Sequence, residues 1–190
     1  QSVNYDRGLM DGQVNAYFKN GFIMTEQSYS KGLLHGLSKD FYENGNVKLE
    51  VTYENGIIDG DMIEYYFSGQ KSKSITLVSG LKNGPSLIFD SLGRIYTRLN
   101  YKNNLLDGEI KSFYPDGKLL LRRFYKKGSK EGEAKVFYPD GGLKLLFNYK
   151  NGKEEGKGYL YDSDSQLIEE RIYENGILKS YGTPEAIPSE

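Results

Sequence analysis

The sequence predicts an all-β fold, an elongated single antiparallel β-meander built from tandem 24-residue β-hairpin repeats. Three observations predict it: Tyr and Gly recur at a fixed interval of 24 residues, each interval contains two turn signals, and strand-forming runs separate the turns. Self-similarity at a fixed period of about 20 to 50 residues is typical of repeat architectures. Each unit would contact mainly its neighbours, as in a solenoid.

The repeat runs without insertion or deletion through seven units. Each unit opens on Tyr, or on Leu in one case, and Gly columns follow at constant offsets. The units start at Tyr5, Tyr29, Tyr53, Leu77, Tyr101, Tyr125 and Tyr149, and a half repeat starts at Tyr173. We therefore expect one repeat domain over residues 1–182. The segment 183–190, "TPEAIPSE", carries two prolines that discourage strand pairing, and we expect a flexible tail there.

The first turn signal in each unit is typified by "FYPDGK" at 113–118 and "FYPDGG" at 137–142. Pro115 presets φ for the second turn position, and Asp116 bonds its own backbone. Gly117 supplies a positive φ after the turn. A type I turn followed by a left-handed Gly closes many hairpins, so this motif predicts a hairpin corner.

The second turn signal is a looser segment with Asn-Gly inside it, such as "YENGIIDG" at 53–60. Between the two signals lie runs of five to eight residues with β-branched and aromatic side chains, such as "NVKLEVTY" at 46–53. A Gly every few residues would break a helix repeatedly, so these runs predict strands.

Pairing across the first turn decides which residues share a face of the sheet. With a three-residue loop, Phe113 would share a face with Leu119, Leu121 and Tyr125. We expect this face to be the buried one, because an aromatic occupies the Phe113 position in all seven repeats. A four-residue loop would exchange the two faces.

The residue after that aromatic would lie on the opposite, accessible face. Asp90 and Asp162 interrupt this second row, which indicates that it is partly wet. The rings would form a contact strip for a partner, or would stack on one another to stiffen the sheet. The candidate partner-binding residues are Phe18, Tyr42, Tyr66, Tyr114 and Tyr138.

The sequence predicts no catalytic, cofactor-binding or metal-binding residues. It has no Cys and a single His, so thiolate metal sites and a Ser-His-Asp triad are excluded. His35 stands where other repeats carry Asp, Glu or Asn, and a solvated turn residue is expected there. Carboxylate pairs such as Asp59 and Asp61 offer fewer oxygens than Ca²⁺ requires, so turn capping is the expected role.

Charge is uneven along the chain although the net charge is −1. Residues 94–153 hold 14 Lys and Arg against 6 Asp and Glu. Either a solvated face or a patch for an anionic lipid or glycan would account for this, whereas the overall charge disfavours nucleic acid. No apolar run approaches the length of a transmembrane helix. The candidate anionic-ligand patch is Arg122, Arg123, Lys126, Lys127 and Lys130.

The segments "YENGIIDGDMIEYYFSG" at 53–69 and "YKNGKEEGKGYLYDSDS" at 149–165 resemble the MORN repeat in its bacterial variant. The eukaryotic unit carries a Trp, and this chain has none. The resemblance covers residues 5–180 and implies an extended β-sheet repeat with a binding or scaffolding role and no catalytic residues. Some bacterial relatives are labelled YwqK-type antitoxins.

The function we expect is a non-enzymatic scaffold that mediates protein–protein interaction in a bacterium. The alternatives are a peripheral module that binds anionic membrane lipid or cell-envelope glycan, and an antitoxin-like inhibitor of a partner toxin. The chain begins at Gln1 without Met, which a cleaved signal peptide or a missing upstream segment would explain equally. Export to the periplasm or cell surface is slightly favoured over the cytoplasm.

Overall fold

The computed structural model describes residues 3–183, which form strands and turns without a helix, so the all-β prediction is confirmed. No helix that could span a membrane is found in this range. The strands are β1 (Tyr5–Asp6), β2 (Leu9–Met10), β3 (Gly12–Tyr17), β4 (Ile23–Ser30), β5 (Leu33–Leu34), β6 (Gly36–Phe41), β7 (Val47–Glu54), β8 (Ile57–Tyr65), β9 (Lys71–Val78), β10 (Leu81–Phe89), β11 (Ile95–Lys102), β12 (Leu105–Leu106), β13 (Gly108–Phe113), β14 (Leu119–Lys126), β15 (Ser129–Lys130), β16 (Gly132–Phe137), β17 (Leu143–Lys150), β18 (Lys153–Glu154), β19 (Gly156–Tyr161), β20 (Leu167–Glu174) and β21 (Ile177–Gly182).

The chain divides into two compact units, whose described residues are 3–95 and 96–183. In the first unit β3 to β10 pair antiparallel in chain order, and β1 pairs with β2 in a separate hairpin. In the second unit β11 to β21 form the same meander. Each unit is thus a series of hairpins, as predicted. The predicted bounds, 1–182 and 183–190, stay a prediction, and 184–190 lie outside the described residues.

The first turn of the repeat, here called the Asp-Gly turn, has the predicted three-residue loop. The Tyr114 N–H donates to the Lys118 carbonyl at 2.8 Å, and the Gly117 N–H donates to the Tyr114 carbonyl at 2.9 Å. Gly117 has a φ of 85°, a value that favours glycine. The Asp116 carboxylate accepts from the Lys118 N–H at 3.1 Å, which fixes the loop.

The second turn, here called the Asn-Gly turn, is tighter than the sequence suggested. Glu54 pairs with Ile57, so only Asn55 and Gly56 form the loop. Their φ values are 50° and 81°. Two positive φ values are typical of a type I′ turn, whose twist matches that of the flanking strands. What looked like a loose segment is a two-residue turn followed by a bulge at Gly60.

A second bulge lies beside the Asp-Gly turn and changes which residues share a face. Phe113 pairs with Leu119, as a three-residue loop requires, but Ser112 pairs with Leu121 because the register shifts by one residue. A one-residue shift moves the following side chains to the other face of a sheet. The prediction that Phe113 shares a face with Leu121 and Tyr125 is therefore wrong, and only its pairing with Leu119 is confirmed.

The buried residues lie on the face that carries Ser112, here called the core face; the opposite face is called the outer face. Tyr17, which holds the Phe113 position in the first repeat, is 49% exposed, so the aromatic row predicted to be buried is not the core. Thr97 and Ser112 bond each other at 3.0 Å and the Ser86 hydroxyl donates to the Ser74 carbonyl at 2.8 Å, whereas the buried Ser38 hydroxyl has no partner among the described residues. The buried residues are Val14, Ser38, Val51, Ile75, Leu77 and Ser86 in the first unit, and Thr97, Ile110, Ser112, Ala134 and Gly158 in the second.

Candidate functional site

The predicted contact strip of aromatic rings lies at the Asp-Gly turns, next to the core face. All five rings are half-buried. Four hydroxyls donate to a backbone carbonyl 23 residues further on, at 2.8 to 2.9 Å. These bonds link each repeat to the next, so the rings have a structural role. That they bind a partner stays a prediction. The bonds run from Tyr42 to Tyr65, from Tyr66 to Phe89, from Tyr114 to Phe137 and from Tyr138 to Tyr161.

A shallow cavity of about 400 Å³ opens beside this row in the first unit. Tyr42 and Tyr66 line it together with Lys48, whose Nζ lies 6.0 Å from the centre of the Tyr42 ring. The edge of the Phe67 ring meets Tyr42 at a centroid distance of 5.2 Å. Tyr42 thus packs against a ring of the next Asp-Gly turn that is not part of the predicted strip, and the stacking of the strip rings on one another stays a prediction.

The Asn-Gly edge of the first unit, meaning its row of Asn-Gly turns, carries an exposed aliphatic row that the sequence reasoning missed. The residue directly after each turn is Leu or Ile, and between 42% and 53% of each remains exposed. A signal was present, because these residues recur every 24 positions after the turn glycine. The row consists of Leu9, Leu33, Ile57 and Leu81.

The first three members of this aliphatic row each rest on the turn glycine of the next repeat. A Cβ on Gly32 would lie 3.5 Å from Leu9 Cδ2, and one on Gly56 would lie 3.7 Å from Leu33 Cδ2. The Gly56 N–H also donates to the Leu34 carbonyl at 2.7 Å. The turns are thus tied to one another, and the aliphatic side chains are held on a fixed backbone.

Carboxylates just before the bulge glycines hold the turns in register. Asp59 accepts from the Ser79 N–H at 3.0 Å, and Glu155 accepts from the Asn175 N–H at 2.8 Å. Asp107 and Glu131 do the same 20 residues apart. This is the turn-capping role expected for these residues. Within residues 3–183 no group of three His, Cys, Asp or Glu side chains is placed to hold a metal ion.

His35 takes the capping position in its repeat and makes a different contact. Its Nδ1 lies 3.6 Å from Glu54 Oε2; the two side chains are 44% and 60% exposed, but Nδ1 itself is buried and has no hydrogen-bond partner among the described residues. His35 is therefore a turn residue, as the sequence indicated, but it is only partly solvated.

The predicted basic patch is divided between the two faces of the second unit. Arg122 lies on the outer face and donates to Glu109 at 2.7 Å, whereas Arg123 lies on the core face over the Tyr125 ring. Lys130 stands 4.6 Å from the centre of the Tyr149 ring. Burial raises the pKa of Tyr149 to about 12, and the neighbouring Glu154 carboxylate adds to the rise. Only Lys126 and Lys127 are left exposed at the edge.

Besides those two lysines, the Asn-Gly edge of the second unit carries three more that the predicted patch did not include. Lys102 and Lys150 occupy the position of Lys126, directly before the turn, and all three are exposed. Lys153 follows the last of these turns and is exposed too. In the part of the chain that the structure describes, no carboxylate pairs with any of these five ammonium groups.

The outer face of the first unit carries a charged cluster of a different kind. The Tyr65 hydroxyl donates to Glu50 at 2.7 Å, and Lys39 pairs with the same carboxylate at 3.2 Å. Burial and the bond to Glu50 raise the pKa of Tyr65 to about 12. Partial burial works to raise the pKa of Glu50, but the bonds from Tyr65 and Lys39 outweigh it and hold that pKa below its ordinary value. The arrangement braces neighbouring strands.

Comparison with known proteins gives a family match and a weak structural likeness. The family model described as "MORN repeat variant" matches residues 34–55, 106–127 and 130–151. The three matches begin at the same position of the 24-residue repeat, directly before the capping residue. No curated protein matches the chain significantly.

Among solved structures, the chain resembles part of a TarM variant from S. aureus, solved with fondaparinux, α-GlcNAc-glycerol and UDP, at 13% identity and a TM-score of 0.31 over 76% of this chain. A second TarM structure gives 14% identity and a TM-score of 0.30 over 75%. The chain spans about one fifth of the length of these proteins, covering 21% and 20% of them. Such low scores do not establish a common fold.

The family match agrees with the period, with the two turns of each repeat and with the meander of hairpins in each unit. The chain contains MORN repeats of the variant type at these three positions.

Proposed function

We propose that this protein is a non-enzymatic scaffold that captures another protein along the Asn-Gly edge of its first unit. The observation that carries the proposal is the exposed row of Leu9, Leu33, Ile57 and Leu81. Exposed apolar groups in a continuous row are typical of protein interaction sites.

Geometry supports this edge over the aromatic strip that the sequence favoured. Equivalent residues lie two strands apart, which is roughly 10 Å. Leu33 and Ile57 stand on turns fixed by hydrogen bonds, so a partner would lose little free energy in ordering them. The rings of Tyr42 and Tyr66, by contrast, are half-buried and their hydroxyls are already bonded.

The side chains available in residues 3–183 also support a binding role over catalysis. The capping carboxylates accept backbone hydrogen bonds, and the His35 side chain lies beside the exposed Glu54. A general acid or base needs a placed partner and a cleft around it. The shallow cavities described within residues 3–183, such as those beside Tyr42 and Lys150, do not combine the two.

The test is capture of a partner by two matched double variants of the full chain. Leu33→Gln with Ile57→Gln alters the first edge. Leu105→Gln with Ile177→Gln alters the same repeat position in the second unit, where exposure is similar at 49% and 61%. The chains are immobilised and incubated with lysate of the source cell, and captured proteins are quantified by mass spectrometry.

The proposal expects a protein that the wild-type chain and the second variant retain and the first variant loses. All three chains should unfold at nearly the same temperature, because exposed substitutions change stability little. Equal retention by both variants would contradict the proposal. Loss only after Tyr42→Ser with Tyr66→Ser, in a chain that still folds, would return the binding role to the aromatic strip.

A further inference from the structure

The Asn-Gly edge of the second unit concentrates unpaired positive charge in a line. Lys102, Lys126 and Lys150 stand at equivalent positions two strands apart, so their backbone spacing is roughly 10 Å. Lys127 adds a fourth ammonium group within the middle turn. None of the four has a carboxylate partner within residues 3–183.

The end of this line contains a pair of like charges. Lys150 and Lys153 are direct cross-strand partners in the antiparallel ladder. Like charges placed directly opposite each other on a sheet are destabilising, and a bound anion would relieve the repulsion. Both lysines line a cavity of about 300 Å³, together with Asn151, Glu155 and Asn175.

The carboxylates near this edge accept hydrogen bonds from the turns themselves or pair with other side chains. Glu155 accepts from the Asn175 N–H at 2.8 Å, and Glu131 accepts from the Asn151 N–H at 2.9 Å. Glu174 pairs with Lys179 at 3.2 Å. A ligand that approaches the turns therefore meets a narrow line of ammonium groups flanked by acidic residues.

We propose that this edge binds a linear polymer of phosphate groups that carries no bases, with phosphates roughly 10 Å apart along the polymer contacting Lys102, Lys126 and Lys150. The terminal cavity between Lys150 and Lys153 would receive one phosphate group. This activity goes beyond the capture of a protein by the first unit and involves different residues.

The chemistry of the edge selects this ligand among anions. Lysine binds phosphate as a compact point charge, whereas planar carboxylates favour the arginine fork, and Arg122 is already bonded to Glu109. A flat anionic membrane would be repelled by the acidic residues that flank the lysines. A single phosphate polymer is narrow enough to contact the lysines without approaching those residues. Single-stranded nucleic acid needs aromatic platforms for its bases, and the positions after these turns carry Leu105, Ser129 and Lys153.

The experiment titrates the full chain with sodium polyphosphate and follows binding by calorimetry at several salt concentrations. The test variant is Lys102→Gln, Lys126→Gln, Lys150→Gln. The control variant is Lys19→Gln, Lys31→Gln, Lys71→Gln, which removes the same charge from exposed lysines of the first unit. Orthophosphate, single-stranded DNA and vesicles of anionic phospholipid serve as comparison ligands.

The proposal expects polyphosphate affinity to fall at least tenfold in the test variant and less than twofold in the control. The slope of log affinity against log salt should drop by about 2, since each phosphate contact on a single strand contributes about 0.7. Equal losses in the two variants, or no binding by the wild-type chain, would overturn it. Tighter binding of DNA or vesicles than of polyphosphate would overturn the choice of ligand.

Discussion

The two Asn-Gly edges are built alike and carry different chemistry. In the first unit the residue after the turn is Leu or Ile, as at Leu33 and Ile57, and it is about half exposed. In the second unit the same position holds Leu105 and Ile177 at the two ends but Ser129 and Lys153 between them, and Lys precedes three of the four turns. The first edge offers a continuous apolar row, whereas the second interrupts that row and adds a line of ammonium groups.

The backbone contacts that build the two edges do not depend on these side chains. The Gly32 N–H donates to the Met10 carbonyl at 2.8 Å in the first unit, and the Gly128 N–H donates to the Leu106 carbonyl at 2.8 Å in the second. The capping carboxylate also recurs in both. The backbone of the repeat therefore fixes where the exposed residues lie but does not depend on which side chains they carry. The same backbone can thus display two chemically different surfaces.

The largest effect should come from the core, where each unit buries an isoleucine to the same degree. Ile75 and Ile110 are each 1% exposed. Replacing either with Ala removes buried methylene groups and leaves a cavity, so each should lower the free energy of unfolding by about 3 kcal/mol. Urea denaturation measures both. A large loss for one and none for the other would show that the units are not built alike.

The next effect concerns the hydrogen bonds between repeats. Tyr66→Phe and Tyr114→Phe keep the ring but remove a hydroxyl that donates to a carbonyl at 2.8 Å. Each should cost about 1 kcal/mol in the same denaturation experiment. The matched control is Tyr181→Phe, since that ring is 73% exposed, and it should cost nothing measurable. Unchanged stability in Tyr66→Phe and Tyr114→Phe would mean that these hydroxyls do not hold the repeats together.

A smaller effect should follow from making the second edge resemble the first. Lys153→Leu removes the like-charge pair with Lys150, so it should stabilise the chain by about 0.5 kcal/mol at low salt. The gain should shrink as salt is added, because salt screens exposed charges. Thermal unfolding at two salt concentrations checks this. Destabilisation at low salt would show that the two lysines do not repel each other.

The smallest effect is a change in how stability depends on pH. The pKa of Glu50 is held below its ordinary value of 4.5, so its contribution is present above that pH and is lost as the pH falls through the lower folded value. The raised pKa of Tyr65 gives a contribution present below pH 10 and lost as the pH rises toward about 12. Glu50→Gln should flatten the acid limb of the stability curve. An acid limb identical to that of the wild-type chain would contradict this.

The repeat could be predicted from the sequence because its turns depend on local chemistry. The three-residue loop at Pro115, Asp116 and Gly117 follows from the residues themselves. The bulge that pairs Ser112 with Leu121 has no comparable local signal, because no Gly or Pro marks it, and the face assignment failed at that residue.

The candidate sites were harder to predict than the fold. Tyr114 looked accessible because a row of rings alternates with the predicted core, but its hydroxyl contacts a carbonyl that only pairing between repeats brings near. The basic run at Arg122 and Arg123 looked like one patch, but adjacent residues on a strand point to opposite faces. The line of lysines was missed because its members, Lys102, Lys126 and Lys150, are far apart in sequence. Their spacing of 24 residues equals the repeat period and was the signal that could have placed them on one edge.

The central claim, that side chains placed on a common frame decide what each edge binds, is tested most directly by moving the lysines. The starting chain carries Lys102→Gln, Lys126→Gln and Lys150→Gln. Adding Ser30→Lys, Glu54→Lys and Val78→Lys places lysines at the equivalent positions of the first unit. A control adds the same charge at scattered exposed positions, through Gln13→Lys, Glu43→Lys and Ser91→Lys. Polyphosphate affinity should return to within about threefold of wild type only in the chain with Ser30→Lys, Glu54→Lys and Val78→Lys. A line of lysines contacts several phosphates of one polymer at once, which scattered lysines do not. Equal recovery in both chains, or recovery in neither, would contradict the account.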